Sequence, residues 1–184
     1  MKKILSLAFL LMLSLSIFAQ RQVTKFLGIP VDGSRTDMIQ KLKAKGFRYN
    51  SYVNALEGQF NGNDVWILVQ ANNNKVWRIA VIYKNSFDKE QIKIQYNSLI
   101  NQFSNNPRYK VFKAEELTDK DDIYREVSIN KKQYEAHFCQ LPDNENIVKR
   151  NVWFTIKEDL NDFQKYIIAI FYENKYNEAN GDDL

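Results

Sequence analysis

The stretch VNALEGQFNGNDVWILVQANNNKVWRIAVIY at residues 53–83 decides the fold of this chain. Its composition predicts three strands, 53–60, 64–71 and 75–83, which are rich in β-branched and aromatic residues. Short runs of Asn and Gly separate the strands, and these residues tolerate the positive φ angles that tight hairpin turns require. We therefore expect a three-stranded antiparallel meander.

One helix is predicted on each side of this meander. Ser34 and Asp37 have the spacing of a capping box and open a helix at 34–45. A second helix is predicted at 88–104, and its apolar residues recur at helical spacing to form one stripe: Ile92, Tyr96, Leu99, Ile100 and Phe103. A single stripe on each helix indicates that both pack on a sheet rather than inside a bundle.

A second block of strands follows the second helix. Segments 123–129 and 133–141 are expected to form a hairpin around Asn130-Lys131, followed by strands at 147–156 and 164–173. The fold class that we predict is two-layer α+β, with an antiparallel sheet of about seven strands and two helices packed on one face. One domain, residues 20–173, accounts for the length.

The two blocks of strands share a weak internal similarity. Two pairs of segments keep their order, at offsets of 87 and 89 residues: VWILV at 65–69 with VWFTI at 152–156, and IAVIYKN at 79–85 with IAIFYEN at 168–174. Either the chain is a degenerate tandem repeat with halves 26–85 and 86–173 and an extra hairpin in the second half, or β-propensity alone produces the similarity.

Residues 1–19 predict a secretory signal peptide. Lys2 and Lys3 precede an apolar run of about 15 residues, which is shorter than a membrane-spanning helix, and Ala19 follows it. We expect an exported chain from Gln20, periplasmic or extracellular, with no transmembrane segment and a polar tail at 174–184. No cysteine follows the apolar run, so the usual lipid anchor of bacterial envelope proteins is not expected.

Composition argues against several classes of function. The formal charge of +4 falls to +2 once Lys2 and Lys3 leave, and the basic residues are interleaved with acidic ones, which argues against nucleic acid as a partner. Cys139 is the only cysteine, so an internal disulfide is impossible. No cofactor is predicted, because the glycines are scattered and form no phosphate-binding loop.

The candidates for catalysis and for metal binding are weak. His137 and Cys139 share one face of a strand, but about 6.6 Å separates such positions and no third residue orients the pair. The run containing Asp119, Asp121 and Asp122 lacks the glycine and the distal glutamate of a calcium loop, and we interpret it as a solvated turn. We predict no catalytic residue, no metal site and no enzymatic activity.

Aromatic residues, 14% of the chain, give the only indication of function. Strands 75–83 and 164–173 are largely apolar on both faces, and two helices cover only one face of a sheet this wide. The other face must be buried by its own curvature, by a dimer mate or by a ligand. Candidate binding residues are Trp66, Trp77, Tyr83, Trp153 and Tyr172. As a set they suggest a protein-binding module, with a carbohydrate or small-ligand binder of the envelope as the alternative. For any one of these aromatics, ordinary packing in the core is the expected explanation.

The layout of a capped helix, GSRTDMI at 33–39, followed by a meander resembles the SmpA/OmlA envelope lipoproteins and the tandem-repeat β-lactamase inhibitor protein fold. The resemblance covers about residues 26–173 and extends to exported bacterial domains of unknown function. It implies protein binding by the sheet rather than catalysis. The anchor cysteine of the SmpA/OmlA proteins is absent here, and no functional residue is carried over.

Overall fold

The computed structural model describes residues 22–142, 146–179 and 181, so the predicted signal peptide lies outside the described residues. The fold is α+β: an antiparallel sheet of eight strands, a separate two-stranded hairpin and two helices. No helix within these described ranges is long and apolar enough to cross a membrane.

The elements follow one another in a simple order. They are β1 (Lys25–Phe26), β2 (Ile29–Pro30), α1 (Arg35–Ala44), β3 (Arg48–Asn50), β4 (Ala55–Phe60), β5 (Asn63–Asn72), β6 (Lys75–Tyr83), α2 (Lys89–Ser104), β7 (Tyr109–Lys113), β8 (Glu135–Gln140), β9 (Asn151–Glu158) and β10 (Tyr166–Glu173). Strands β1 and β2 form the hairpin, and the large sheet has the order β3-β4-β5-β6-β10-β9-β8-β7. The two edge strands of the large sheet are therefore β3 and β7, and each is the first strand after a helix.

The predicted meander is confirmed as β4, β5 and β6. Asn61 and Gly62 have φ angles of 50° and 76°, and Asn73 and Asn74 have 46° and 58°. Two consecutive residues with positive φ make the hairpin turn whose twist matches that of the flanking strands. The Asn and Gly residues between the strands thus set the register of the first half of the sheet.

Both helices begin where the capping patterns predict. The Ser34 hydroxyl accepts a hydrogen bond from the backbone N–H of Asp37 at 3.1 Å. The Asp88 carboxylate accepts from the N–H of Gln91 at 2.8 Å, and the Gln91 side chain accepts from the N–H of Asp88. Helix α1 buries Met38 and Leu42, and α2 buries the predicted stripe together with Lys93.

The strand predicted at 123–129 is wrong, and with it the hairpin around Asn130-Lys131. Tyr124–Ile129 is one π-helical turn. Ile123 and Val127 are buried whereas Ile129 is exposed, so the spacing that matters is the helical i, i+4 rather than the alternation of a strand. The first four residues of the strand predicted at 147–156 also differ, since Ile147–Lys149 is a 3₁₀ turn and β9 begins only after Arg150.

The sheet has eight strands instead of about seven, because two edge strands add to the predicted set and the strand predicted at 123–129 is absent. Strand β3 has only three residues, and four of the five residues of β7 are exposed. Short edge strands with charged residues carry little of the apolar pattern on which sequence prediction depends.

The large sheet consists of two four-stranded halves, each preceded by a helix, which meet where β6 pairs with β10. In this pair Val81 lies directly opposite Ile170, and these two residues occupy equivalent positions in the sequence similarity at offset 89. If a two-fold axis related the halves, it would pass between two equivalent residues of the central strand pair. The Val81–Ile170 pair meets this condition. The second half has no extra hairpin, contrary to the prediction; a long β7–β8 connection with the π-helical turn is there instead.

A packing contact in the first half gives a stability prediction. A Cβ atom at position 58 would lie 2.6 Å from Cδ1 of Phe47 and 3.1 Å from Cε1. Because Phe47 is buried, its ring must move to admit a methyl group, and we expect Gly58→Ala to lower the free energy of unfolding by about 1–3 kcal/mol. Urea unfolding measures the change. Gln59→Ala, at the exposed neighbouring position, should stay within about 0.5 kcal/mol of wild type, and equal values for both variants would contradict this account.

Candidate functional site

The two faces of the large sheet differ in what covers them. On β6, Ile79, Val81 and Tyr83 are at most 2% exposed and belong to the core on the helix side. Their neighbours Arg78 and Ile82 point to the opposite side and are partly exposed. We call this second side, on which no described helix packs, the open face.

A β-bulge places Trp77 on the open face. Gln70 pairs with Arg78 and Ala71 pairs with Val76, so Trp77 is an extra residue in β6. Its ring lies 4.0 Å from the guanidinium carbon of Arg78, while Val76 is buried in the core. Strict alternation along residues 75–83 would place Trp77 on the same side as Ile79, Val81 and Tyr83, and the bulge moves it to the other side.

Side chains from four neighbouring strands stack in a row across the open face. Trp153 lies between His137 and Phe171, with ring centroids 5.5 Å and 4.2 Å away and planes inclined by only 12° and 24°. The Arg78 guanidinium lies 5.2 Å from the Phe171 centroid, and beyond it lies Trp77. We call these five residues the aromatic ladder; they come from β8, β9, β10 and β6 in the spatial order of the sheet.

A buried carboxylate holds one end of the ladder in place. Glu173 is 1% exposed; it accepts hydrogen bonds from Arg78 Nε at 2.9 Å, from Lys175 Nζ at 2.9 Å and from Asn151 Nδ2 at 3.1 Å. Burial alone raises the pKa of Glu173, but hydrogen bonds from Trp153, Lys175 and Asn151 and the charge of Arg78 outweigh it and keep the pKa below its ordinary value. The carboxylate therefore stays ionised at neutral pH and fixes the guanidinium beside the rings.

Trp66 lies on the open face within a separate charged cluster. Lys84 Nζ is 3.7 Å from the Trp66 ring centroid and 2.8 Å from Oε2 of Glu57. Arg48 Nη2 lies 2.7 Å from the other carboxylate oxygen of Glu57. Hydrogen bonds from Lys84 and from Arg48 lower the pKa of Glu57. These charged side chains form a polar border of the open face on the first half of the sheet, at β3, β4 and the end of β6.

The remaining two predicted binding residues do not lie on this surface. Tyr83 and Tyr172 are 2% and 4% exposed, and both point into the core on the helix side. The structure thus brings together the three tryptophans on one face and separates the two tyrosines from them. Burial raises the pKa of Tyr172 well above its ordinary value.

Sequence reasoning did not name His137, Phe171 and Arg78 as binding residues. Each lies on the same face of the sheet as a tryptophan, but only the strand register shows that His137 and Phe171 are both paired directly with Trp153. The imidazole of His137, which shares strand β8 with Cys139, stacks on Trp153 and lies 3.1 Å from Oε2 of Glu135.

The acidic run at 119–122 is organised by its own hydrogen bonds. One carboxylate oxygen of Asp121 accepts from the backbone N–H and from the hydroxyl of Thr118, at 2.8 Å and 2.9 Å, and the other accepts from the Tyr134 hydroxyl. Hydrogen bonds from Thr118 hold the pKa of Asp121 below its ordinary value despite partial desolvation. Within the described part of the chain, no group of three or more His, Cys, Asp or Glu side chains is placed to hold a metal ion.

The chain matches no protein-family model, no curated protein and no solved structure, so the function has to be argued from the geometry of the open face.

Proposed function

We propose that this chain is an exported, non-catalytic binding module that holds a protein partner on the open face of its sheet. The observation that carries the proposal is the aromatic ladder, which runs across four strands on the side that no described helix covers. Aromatic residues and arginine are the side chains that most often dominate the binding energy of protein interfaces.

The surroundings of the ladder support the same proposal. Partly exposed apolar residues extend it, with Ile82 on β6 and Ile167 on β10. Polar groups border it at both ends, the Lys84–Glu57 ion pair on one side and the Glu135 carboxylate, 3.1 Å from His137 Nε2, on the other. An apolar centre with a polar rim is the usual composition of a protein interface, and the partner should present an apolar patch of its own.

The ring geometry favours a protein partner over a glycan. A sugar stacks on the free face of an aromatic ring, but both faces of Trp153 are occupied, by His137 and by Phe171. The rings therefore meet a partner with their edges, together with the aliphatic side chains around them. Trp77 has the guanidinium of Arg78 against its ring as well.

Capture experiments with variants of the open face test this proposal. The tagged protein is incubated with envelope and culture-medium fractions of the native cell, and captured proteins are identified by mass spectrometry. We expect Trp153→Ala and Ile167→Lys to reduce capture of the partner at least about fivefold, since central residues of an interface contribute more than about 1 kcal/mol each. Ile167→Lys adds a charge at a partly exposed position and leaves the ladder intact.

Phe163→Ala is the matched control, because Phe163 is 80% exposed and lies in the β9–β10 connection away from the ladder. It should capture the partner as wild type does, and circular dichroism verifies that each variant is folded. Equal capture by all folded variants would show that the open face is not the interface. Saturable quenching of tryptophan fluorescence by soluble glycans, without any captured protein, would favour the carbohydrate alternative instead.

A further inference from the structure

A cleft of about 1090 Å³ lies on the helix side of the sheet, opposite the open face. The β1–β2 hairpin, the C-terminal halves of α1 and α2 and the β4–β5 turn surround it. A hydrogen bond from Asn61 Nδ2 to Oε1 of Gln102, at 2.8 Å, joins the turn to α2 along its wall. The cleft has the size of a binding site for a small organic molecule.

Aromatic side chains form the apolar part of the cleft. Phe60 and Tyr172 lie against its interior, and both contact Phe26, with ring centroids 5.3 Å and 4.9 Å away. On the α2 side, Phe103 and Tyr109 meet edge to face at 4.9 Å. Tyr172, which sequence reasoning selected as a binding residue, therefore belongs to this cleft and not to the open face.

The charged residues at the cleft are predominantly basic. The basic residues of its lining are the exposed Lys25, Lys41 and Arg108 and the buried Arg150, and within the described residues none of the three exposed ones is in an ion pair. The one acidic residue of the lining, Asp32, accepts hydrogen bonds from Gly33 N–H at 2.7 Å and from Asn177 Nδ2 at 2.8 Å. Three cations on exposed side chains thus surround an aromatic interior.

We propose that this cleft binds a small organic anion with an apolar body. The carboxylate or phosphate of the ligand pairs with Lys25, Lys41 and Arg108, because these cations donate charge-assisted hydrogen bonds to either group. Its apolar body lies against the partly exposed rings of Phe60 and Tyr109, which stand in front of the buried Phe103 and Tyr172, and displaces water from them. This site is independent of the partner surface, since Trp66, Trp77 and Trp153 are all on the other side of the sheet and none of them lines the cleft.

Binding of the anionic dye 1-anilinonaphthalene-8-sulfonate to the purified protein tests the proposal. Dye fluorescence is titrated for wild type and for two matched pairs of variants. Lys41→Gln and Lys43→Gln remove one charge each from exposed positions of α1, but only Lys41 lines the cleft. Arg108→Gln has Arg125→Gln, in the π-helical turn, as its control.

We expect Lys41→Gln and Arg108→Gln each to weaken dye binding about fivefold or more, and their controls to bind as wild type does. Decanoate and decyl phosphate should displace the dye at lower concentrations than decanol, because decanol lacks the charge. A lower displacing concentration for one of the two acids identifies the preferred head group. Absence of dye binding at millimolar concentration, equal affinity in all four variants, or displacement by decanol as strong as by the acids would overturn the proposal.

Failure of this site and failure of the proposed partner surface can be told apart. The Trp153→Ala variant should bind the dye as wild type does, and Lys41→Gln should capture the protein partner as wild type does. Loss of dye binding in Trp153→Ala with the cleft intact would place the dye on the open face and would refute the cleft as its site.

Discussion

Phe154→Ala is expected to lower the free energy of unfolding by about 3–5 kcal/mol. Phe154 is fully buried, and its ring contacts three others, with centroids 5.2 Å away in Tyr96, 5.7 Å in Phe103 and 5.9 Å in Phe138. Truncation leaves a cavity between α2 and the second half of the sheet, which neighbouring rings cannot fill without leaving their rotamers.

Urea unfolding followed by far-UV circular dichroism measures this loss. Phe163→Ala removes the same group from a side chain that is 80% exposed, and it should change the free energy of unfolding by no more than about 0.5 kcal/mol. A loss below about 1 kcal/mol for Phe154→Ala would mean that this aromatic cluster does not hold α2 on the sheet.

Glu173→Gln is expected to destabilise the protein by about 3 kcal/mol at pH 7, because it removes a buried charge from between two cations. Glu173 is 1% exposed, and its carboxylate accepts from Arg78 and Lys175 on different oxygens. A neutral amide cannot accept on both atoms, so one of the two cations loses its partner.

The same residue makes stability depend on pH in a defined direction. The pKa of Glu173 is lower in the folded chain than its ordinary value of 4.5, so its contribution is fully present above about pH 4.5 and is lost as the pH falls through the folded-state value. The difference in unfolding free energy between wild type and Glu173→Gln should therefore be largest at neutral pH and should shrink in acid, where the wild-type side chain becomes neutral as well.

Glu178→Gln is the matched control, because Glu178 pairs with the same amine, Lys175 Nζ at 3.0 Å, but is about one-third exposed. Its effect should be at most about 1 kcal/mol at pH 7, as for other solvent-exposed ion pairs. A constant difference between wild type and Glu173→Gln from pH 7 to pH 3 would rule out ionised Glu173 as the source of the stabilisation.

Local signals in the sequence were sufficient for the helices and the meander. The Asn61-Gly62 turn and the caps at Ser34 and Asp88 depend on residues close in sequence, and all three lie where the pattern predicts. The π-helical turn was misassigned because Ile123-Tyr124-Arg125-Glu126-Val127 fits both alternation and helical spacing over so short a stretch.

The candidate site was only partly predictable, for two physical reasons. A β-bulge reverses the alternation of side chains at one residue, and nothing in the pattern of residues 75–83 distinguishes Trp77 from a regular strand position. The ladder also depends on the register between β8, β9 and β10, which joins residues that are 16 to 34 positions apart. The composition of the chain points to tryptophan as a candidate binding residue. Only the pairing of the strands shows that His137 and Phe171 lie next to Trp153.

The position of β10 has a consequence for the order in which the chain folds. This strand follows all the others in the sequence, yet it lies in the middle of the sheet between β6 and β9. Until it has been synthesised, the two halves cannot pair with each other, and β6 and β9 each expose a row of unpaired backbone N–H and C=O groups. Closing the sheet then requires contacts between residues far apart in sequence, which form slowly. The sheet of a nascent chain is therefore completed at its centre, and only when the C-terminal strand arrives.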